Sequence, residues 1–350
     1  MADALLMKGN DAVGEGAIIA GCRHYFAYPI TPQNELAAYL ARRLPEVGGT
    51  FLQAESEIAA VNMVFGAAAA GARAMTSSSS PGISLKQEGI SYLAGARLPA
   101  VIVNMMRGGP GLGNIAGAQG DYFQATKGGG HGDYRNIVLA PSSVQELADL
   151  TVLAFDLADT YRMTVMILGD GYLGQMSESV VLPEPTGKSF DKSSWALTGC
   201  AGREPRYIAS LHLSPEDGLE KVVLGLQEVY KTVTAEEIRY ETYRCEDAEV
   251  IVVAFGLAAR ICRSAVDTLR ERGVPAGLFR PITLWPFPTV ALRRIAASKR
   301  HVLVVEMNAG QMVEDVQQAL GDSVPIDFYG RVGAMLVEEE AIMEKVTNYA

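Results

Sequence analysis

The run PAVIVNMM at 99–106 leaves the fewest structural options open to this chain. A strand with one face in water alternates polar and apolar residues. This one is apolar on both faces apart from Asn104, so it is expected inside a parallel sheet covered on both sides. Parallel neighbours need crossovers, and helical stretches flank the run: EIAAVNMVFGAAAAGA at 57–72 before it and LADLTVLAFDLADTY at 147–161 after it, the latter leading to strand-like TVMIL at 164–168. Upstream, residues 11–21 read as a helix, HYFAY at 24–28 as a short strand and NELAAYLARRL at 34–44 as the next helix. Pro29 restricts Tyr28 and favours ending that strand in a turn, which places PITP between a strand and a helix.

The chain divides into three parts. Residues 1–180 read as one α/β unit and residues 181–246 as a connecting arm. Within the arm only SPEDGLEKVVLGLQEVYKTVTAEEIRYE at 214–241 sustains helical character. Residues 247–350 read as a second α/β unit, with strands at VIVVAF, PAGLFRPI, HVLVVE and PIDFYG and helices between and after them. At 350 residues about three quarters of the extended chain's surface can be buried, enough for two cores.

Composition excludes several functions. With 30 Lys+Arg against 40 Asp+Glu the net charge is -10, which disfavours a nucleic-acid backbone as the main ligand. The four cysteines, Cys22, Cys200, Cys245 and Cys262, form no C-x-x-C pair, so neither an iron–sulfur cluster nor a structural zinc site is indicated. Asp3 interrupts the start before any long apolar segment, and no 18-residue apolar run follows. The expectation is a cytoplasmic protein that does not enter a membrane.

Two nucleotide-like motifs fail their context. GLGNIA at 111–116 matches G-x-G-x-x-G/A, but glycines continue through Gly117 and Gly120 and then GGGHGD at 128–133, which reads as a long ordered loop rather than a tight entry into a helix. GDG at 169–171 opens a Mg²⁺-diphosphate motif that needs a downstream asparagine, and none occurs between Gly171 and Asn308. Asp170 is therefore expected to end a strand or organise a turn. The run Ser77–Ser80 lacks a G-x-S-x-G elbow and is expected in an ordered loop, its hydroxyls satisfying backbone groups or forming a polar wall beside a ligand.

YPITP at 28–32, QAESEIAAVNMVFGAAAAGARAMTSSSSPGISLKQEG at 53–89 and VIVNMMRGGPGLGNIAGAQGDYFQATKGGGHGDYR at 101–135 together resemble the alpha subunit of 2-oxoacid:ferredoxin oxidoreductases, with RPITLWPFP at 280–288 and EMNAGQM at 306–312 extending the resemblance over the whole chain. It is most similar to the branched-chain form, acting on 3-methyl-2-oxobutanoate (2-oxoisovalerate). Gly109-Pro110-Gly111-Leu112-Gly113 stands where related sequences often have GPSTG, which favours that subgroup. The resemblance implies a thiamine-enzyme pyrimidine-binding-like domain followed by a transketolase C-terminal-like domain. It implies thiamine diphosphate shared with a beta chain that holds the diphosphate and Mg²⁺. Iron–sulfur and gamma subunits pass electrons to ferredoxin, and coenzyme A takes the acyl group.

The same resemblance assigns roles to residues. Glu57, otherwise readable as a first-turn carboxylate favoured by the helix dipole, would hydrogen-bond the aminopyrimidine and activate the cofactor. Thr31, otherwise a cap for the helix beginning near Gln33, would contact the substrate adduct, with Tyr28, Pro29 and Ile30 shaping the same cofactor pocket. Arg107, otherwise an interchain ion-pair partner, would take the 2-oxoacid carboxylate. His131 is a weaker candidate. Asn308, Gly310 and Gln311 point to an exacting turn or an interchain contact. The alternatives are an alpha subunit selective for 2-oxoglutarate, whose distal carboxylate needs an added polar site, or for pyruvate. An oligomeric scaffold is the non-enzyme alternative.

Overall fold

The computed structural model describes residues 4–214, 216 and 218–349, so residues 1–3 of the segment read for a leader, and residues 215 and 217 of the arm, lie outside the described residues. The strands, in chain order, are β1 (Leu5–Lys8), β2 (His24–Ala27), β3 (Thr50–Gln53), β4 (Ala74–Ser78), β5 (Ala100–Met106), β6 (Ile137–Leu139), β7 (Thr164–Asp170), β8 (Ser177–Val180), β9 (Tyr240–Tyr243), β10 (Val250–Val253), β11 (Ala276–Pro281), β12 (Thr283–Trp285), β13 (His301–Glu306) and β14 (Ile326–Gly330). They form a seven-stranded sheet ordered β12-β6-β7-β5-β4-β2-β3, a five-stranded sheet ordered β14-β13-β10-β11-β9 and a small antiparallel β1-β8 pair. The continuous apolar run is central, as expected: all seven residues of β5 are buried between parallel β4 and β7.

Two expectations change. The run Ser77–Ser80 is no loop: Ser77 and Ser78 finish β4, Ser79 is the N-cap and Ser80 opens the helix Ser80–Gly95. The sequence carried the signal, since a serine followed closely by proline is a common helix start, and Ile83, Ile90, Leu93 and Ala94 make one buried face. The second change is at the boundary between the halves. β12, contributed by the C-terminal half, pairs antiparallel with β6 and forms the edge of the first sheet. Among the helices differences are small, the first running Gly9–Ile19 and the arm's Leu219–Glu236, while the short strands β1, β3, β6, β8 and β9 are not anticipated by the sequence reading.

The arm crosses this chain's own first half. Lys192 pairs with Asp159 at 2.5 Å, and the Leu197 amide donates to Ala69 O at 2.8 Å.

The halves meet through a buried polar junction. Gln119, with no exposed surface, donates from Nε2 to Phe255 O at 2.8 Å and accepts from the Met307 amide at 3.0 Å. Its main chain closes the contact, the amide donating to Met307 O at 3.1 Å and the carbonyl accepting from Asn308 Nδ2 at 2.8 Å. Glu306, also fully buried, accepts from Asn308 Nδ2 and from the amides of Gln311, Met312 and Val313, and burial raises its carboxyl above the usual range. Asn308 and Gln311 therefore act within the chain: Gln311 Nε2 donates to Gly120 O at 2.8 Å and its Oε1 accepts from the Phe123 amide at 2.8 Å. Gln119→Leu strands two buried main-chain groups at about 1–3 kcal/mol each. It should lower the free energy of unfolding by about 3 kcal/mol, read as a fall in the urea midpoint of the isolated chain.

Candidate active site

In an open parallel sheet, ligands bind beyond the carboxyl ends of the strands. Here β2 runs into Tyr28–Pro32, the helix after β3 starts at Glu57, β4 runs into Ser79 and Ser80, and β5 into Arg107. The candidate residues thus gather on one edge of the first sheet.

The turn after β2 is pinned from three sides. Asn10 Nδ2 and Gln175 Nε2 donate to Pro32 O at 2.9 and 2.8 Å, and Arg107 Nη1 donates to Thr31 O at 3.1 Å. Thr31 does not cap the following helix Asn34–Glu46. Gln33 holds the N-cap position without a side-chain cap bond, and among the described residues Thr31 Oγ1 meets only Asn34 Nδ2, at 3.4 Å. Its half-buried hydroxyl is free to meet a ligand. Ile30 is half-buried beside it, while Tyr28 and Pro29 are exposed.

Arg107 is only 6% exposed, and its two terminal nitrogens rest on carbonyl oxygens, Thr31 O and Leu112 O at 3.0 Å. Its Nε is buried without a partner, and among the described residues no carboxylate forms an ion pair with it. A buried guanidinium held by dipoles alone retains an unneutralised charge, which suits an anionic ligand. Beneath it, Ser80 Oγ accepts from the Arg107 amide at 3.0 Å and donates to Asp121 Oδ2 at 2.6 Å, and Asn104 Nδ2 donates to the same oxygen at 2.9 Å. Burial raises the Asp121 carboxyl despite these bonds. Sequence reasoning singles out Ser80 only within the run Ser77–Ser80, and Asn104 and Asp121 not at all, because three residues so far apart meet only in the fold.

Glu57 is the first residue of the helix Glu57–Ala69, whose N-cap, Ser56, accepts from the Ala59 amide at 3.1 Å. Glu57 is 7% exposed, and its carboxylate lies against the start of the neighbouring helix, where Gly82 makes room for it. A Cβ at Gly82 would overlap Ser78 Oγ and stand 2.8 Å from Glu57 Oε1. Ser78 and Ser79 hydroxyls are buried without partners in the same region. Glu55 is exposed, outside this cluster, and His131 is exposed in the loop after the short helix Tyr122–Thr126. Thr31 and Arg107 are joined by a hydrogen bond, and Glu57 is reached from them through Ser80 and the first turn of its helix.

The loop Gly108–Gly111 is the wall between two cavities. One, of about 360 Å³, opens toward the C-terminal half at Asn308, Gln311 and Ala334. The other, of about 550 Å³, opens over Ser80, Pro81, Ser84 and Leu85. Asp121 lines both, and among the described residues no lysine or arginine lines either. Asp170 has a structural task, as the GDG reading expected. It ends β7 fully buried, accepting from the amides of Tyr172 and Leu173 at 3.0 and 3.1 Å and from that of Leu257, and burial pushes its carboxyl up to about 6.

Residues 15–201 match the family described as pyruvate flavodoxin/ferredoxin oxidoreductase, thiamine diphosphate-binding, and residues 248–342 match pyruvate:ferredoxin oxidoreductase core domain II. The chain is 52% identical over 345 residues to ketoisovalerate oxidoreductase subunit VorB of Methanothermobacter thermautotrophicus, covering 99% of this chain and 97% of that one. It is 42% identical over 321 residues to 2-oxoglutarate synthase subunit KorA of Archaeoglobus fulgidus, covering 89% and 90%. Among solved structures it superposes with TM-score 0.90 and 28% identity on 2-oxoglutarate:ferredoxin oxidoreductase from Magnetococcus marinus, which has 2-oxoglutarate, coenzyme A and succinyl-CoA bound. That match covers 99% of this chain, which spans 65% of the other chain's length. A split-gene transketolase, 12% identical at TM-score 0.59, shares the fold alone. This chain belongs to the 2-oxoacid:ferredoxin oxidoreductase family. It is an enzyme subunit with a thiamine diphosphate-binding domain, and the expected pairing of a pyrimidine-binding-like and a transketolase-like α/β unit holds.

Because Gly82 is where Glu57 and Ser78 meet the next helix, Gly82→Ala should displace the carboxylate while leaving the core folded. Turnover of the assembled enzyme is expected to fall by about tenfold or more with an unchanged far-ultraviolet circular dichroism spectrum of the chain.

Proposed function

We propose that this chain is the alpha subunit of a heteromeric, coenzyme A-acylating enzyme that oxidatively decarboxylates branched-chain 2-oxoacids such as 3-methyl-2-oxobutanoate to acyl-CoA and CO₂, with electrons passing to ferredoxin. The observation that carries this reading is the buried, unneutralised Arg107 guanidinium hydrogen-bonded to the Thr31 turn on the same sheet edge as Glu57. Similarity to the ketoisovalerate subunit supports the branched-chain choice.

The residues fit a thiamine ring at Glu57. The carboxylate stands at a helix start with the unpartnered Ser78 hydroxyl, both lying against Gly82. When bound, thiamine diphosphate supplies the nucleophilic carbon and the electron sink for loss of CO₂. Glu57 holds a proton at the aminopyrimidine, Arg107 orients the substrate carboxylate with its planar fork, and the Thr31 hydroxyl hydrogen-bonds the oxygen of the reacting carbon. Tyr28, Pro29 and Ile30 shape the pocket beside them.

A beta chain would bring the diphosphate and Mg²⁺, since Asp170 is already committed to three amides. Leu52, Ile58, Leu112 and Ile115, all exposed around the strand ends with Tyr28, support a partner chain covering this edge. Further iron–sulfur and gamma subunits would carry electrons in a cytoplasmic complex.

Two measurements on the reconstituted complex test this. kcat/KM should be highest for 3-methyl-2-oxobutanoate and lowest for 2-oxoglutarate, and a clear preference for 2-oxoglutarate or pyruvate would replace the branched-chain reading. Arg107→Lys should weaken all three substrates without changing their order, because it removes the bidentate fork and leaves the tail pocket intact. For Glu57→Gln, hydrogen/deuterium exchange at the cofactor's C2 should slow by about 10²-fold. Normal exchange in an assembled variant would end the assignment of Glu57.

A further inference from the structure

Lys86 has no exposed surface, an unusual state for the side chain with the most strongly hydrated charge. It lies on the helix Ser80–Gly95 one turn beyond Gly82 and three residues before Gly89. Those two glycines meet Glu57 and Val61 respectively, so the face carrying Lys86 is pressed against the helix Glu57–Ala69. Its Nζ donates to the main-chain oxygen of Glu57 at 3.4 Å, the one hydrogen bond it makes among the described residues. A methionine of similar length would fill this space without burying a charge, so the lysine costs folding free energy.

We propose that Lys86 is a positioning residue of the active site, its buried ammonium serving as the counter-charge that fixes the Glu57 carboxylate at its helix start. The proposal rests on the reading of Glu57 given above. Among the described residues, the attraction of Glu57 opposes the burial that pushes the lysine down to about 8. Glu88, on the same helix, is exposed and bonded to Tyr92. Asp121 and Arg107 stand at that helix's first residue, tied to Ser80.

The sign of the pH dependence follows. The folded-state value lies below the unfolded value of 10.5, so the unfolded chain binds the proton more readily between about 8 and 10.5. The cost of burying the ammonium is complete below pH 8 and disappears as pH rises to 10.5.

The test has one arm without cofactor and one with it. In the full chain alone, Lys86→Met should raise the urea midpoint below pH 8, with the gain shrinking as the pH rises toward 10.5. The gain should be larger in a Glu57→Gln background, where the ammonium has lost its counter-charge. Equal gains in both backgrounds, or a gain independent of pH, would overturn the coupling. In the reconstituted complex, Lys86→Met should slow C2 hydrogen/deuterium exchange of bound thiamine diphosphate about tenfold at neutral pH. It should also remove the wild-type decline above pH 8. A variant that slows exchange equally at every pH has only a packing defect, and the proposal fails. If Glu57→Gln slows exchange and Lys86→Met does not, Lys86 alone is misassigned. If Glu57→Gln exchanges normally, the reading of Glu57 fails first, and the cofactor-free arm still decides the charge coupling.

Discussion

Gln119 carries the geometry of the whole site. Its side chain and main chain make four hydrogen bonds to Phe255, Met307 and Asn308, so the loop leaving β5 is bolted at its far end to the C-terminal half. At its near end Arg107 holds the turn after β2 and the first residue of the helix after β4. A loop rich in glycine would otherwise have many conformations, and two buried anchors reduce them to one. The segment Gly108–Gly111, folded back so that Gly108 donates to Ala116 O and accepts from the Asn114 amide, stands between the two cavities.

Charge is distributed unevenly around this frame. Arg107 has donors resting on carbonyls and no acid, Asp121 has hydroxyl and amide donors and no base, and Lys86 and Glu57 face each other across a helix contact without a direct ion pair. Buried charges satisfied by dipoles alone are expensive to keep. Arg107, Asp121 and Glu57 each lie in a loop or at a helix start beyond the strand ends, where the family reading puts chemistry, and Lys86 reaches Glu57 from farther along the helix Ser80–Gly95.

Much of this was legible in the sequence, unevenly. β5, with seven buried residues in a row, could be nothing else, and PITP, Glu57 and Arg107 stood in motifs whose order along the chain is specific. Short strands were invisible: β3 shows a largely exposed edge and β6 has only three residues, too few for any period to register. β12 was missed because its pairing with β6 spans more than a hundred residues. The helix Ser80–Gly95 was hidden by four serines, which favour loops locally, although the Ser-Pro start and apolar face were present. Lys86 drew no notice because a lysine in a helix is usually solvated; only the glycines on either side, Gly82 and Gly89, hinted that this face is closed to water.

The borrowed edge strand has a consequence for how the protein is made. While β6 and β7 emerge early from the ribosome, the strand that covers the open side of β6 is encoded more than a hundred residues later. During synthesis the nascent first sheet therefore presents unpaired amides and carbonyls to whatever is nearby. Translation speed through the arm and into residues 283–285 sets how long that exposure lasts, which makes this stretch a place where pausing, a chaperone or a neighbouring nascent chain can decide the yield of folded subunit.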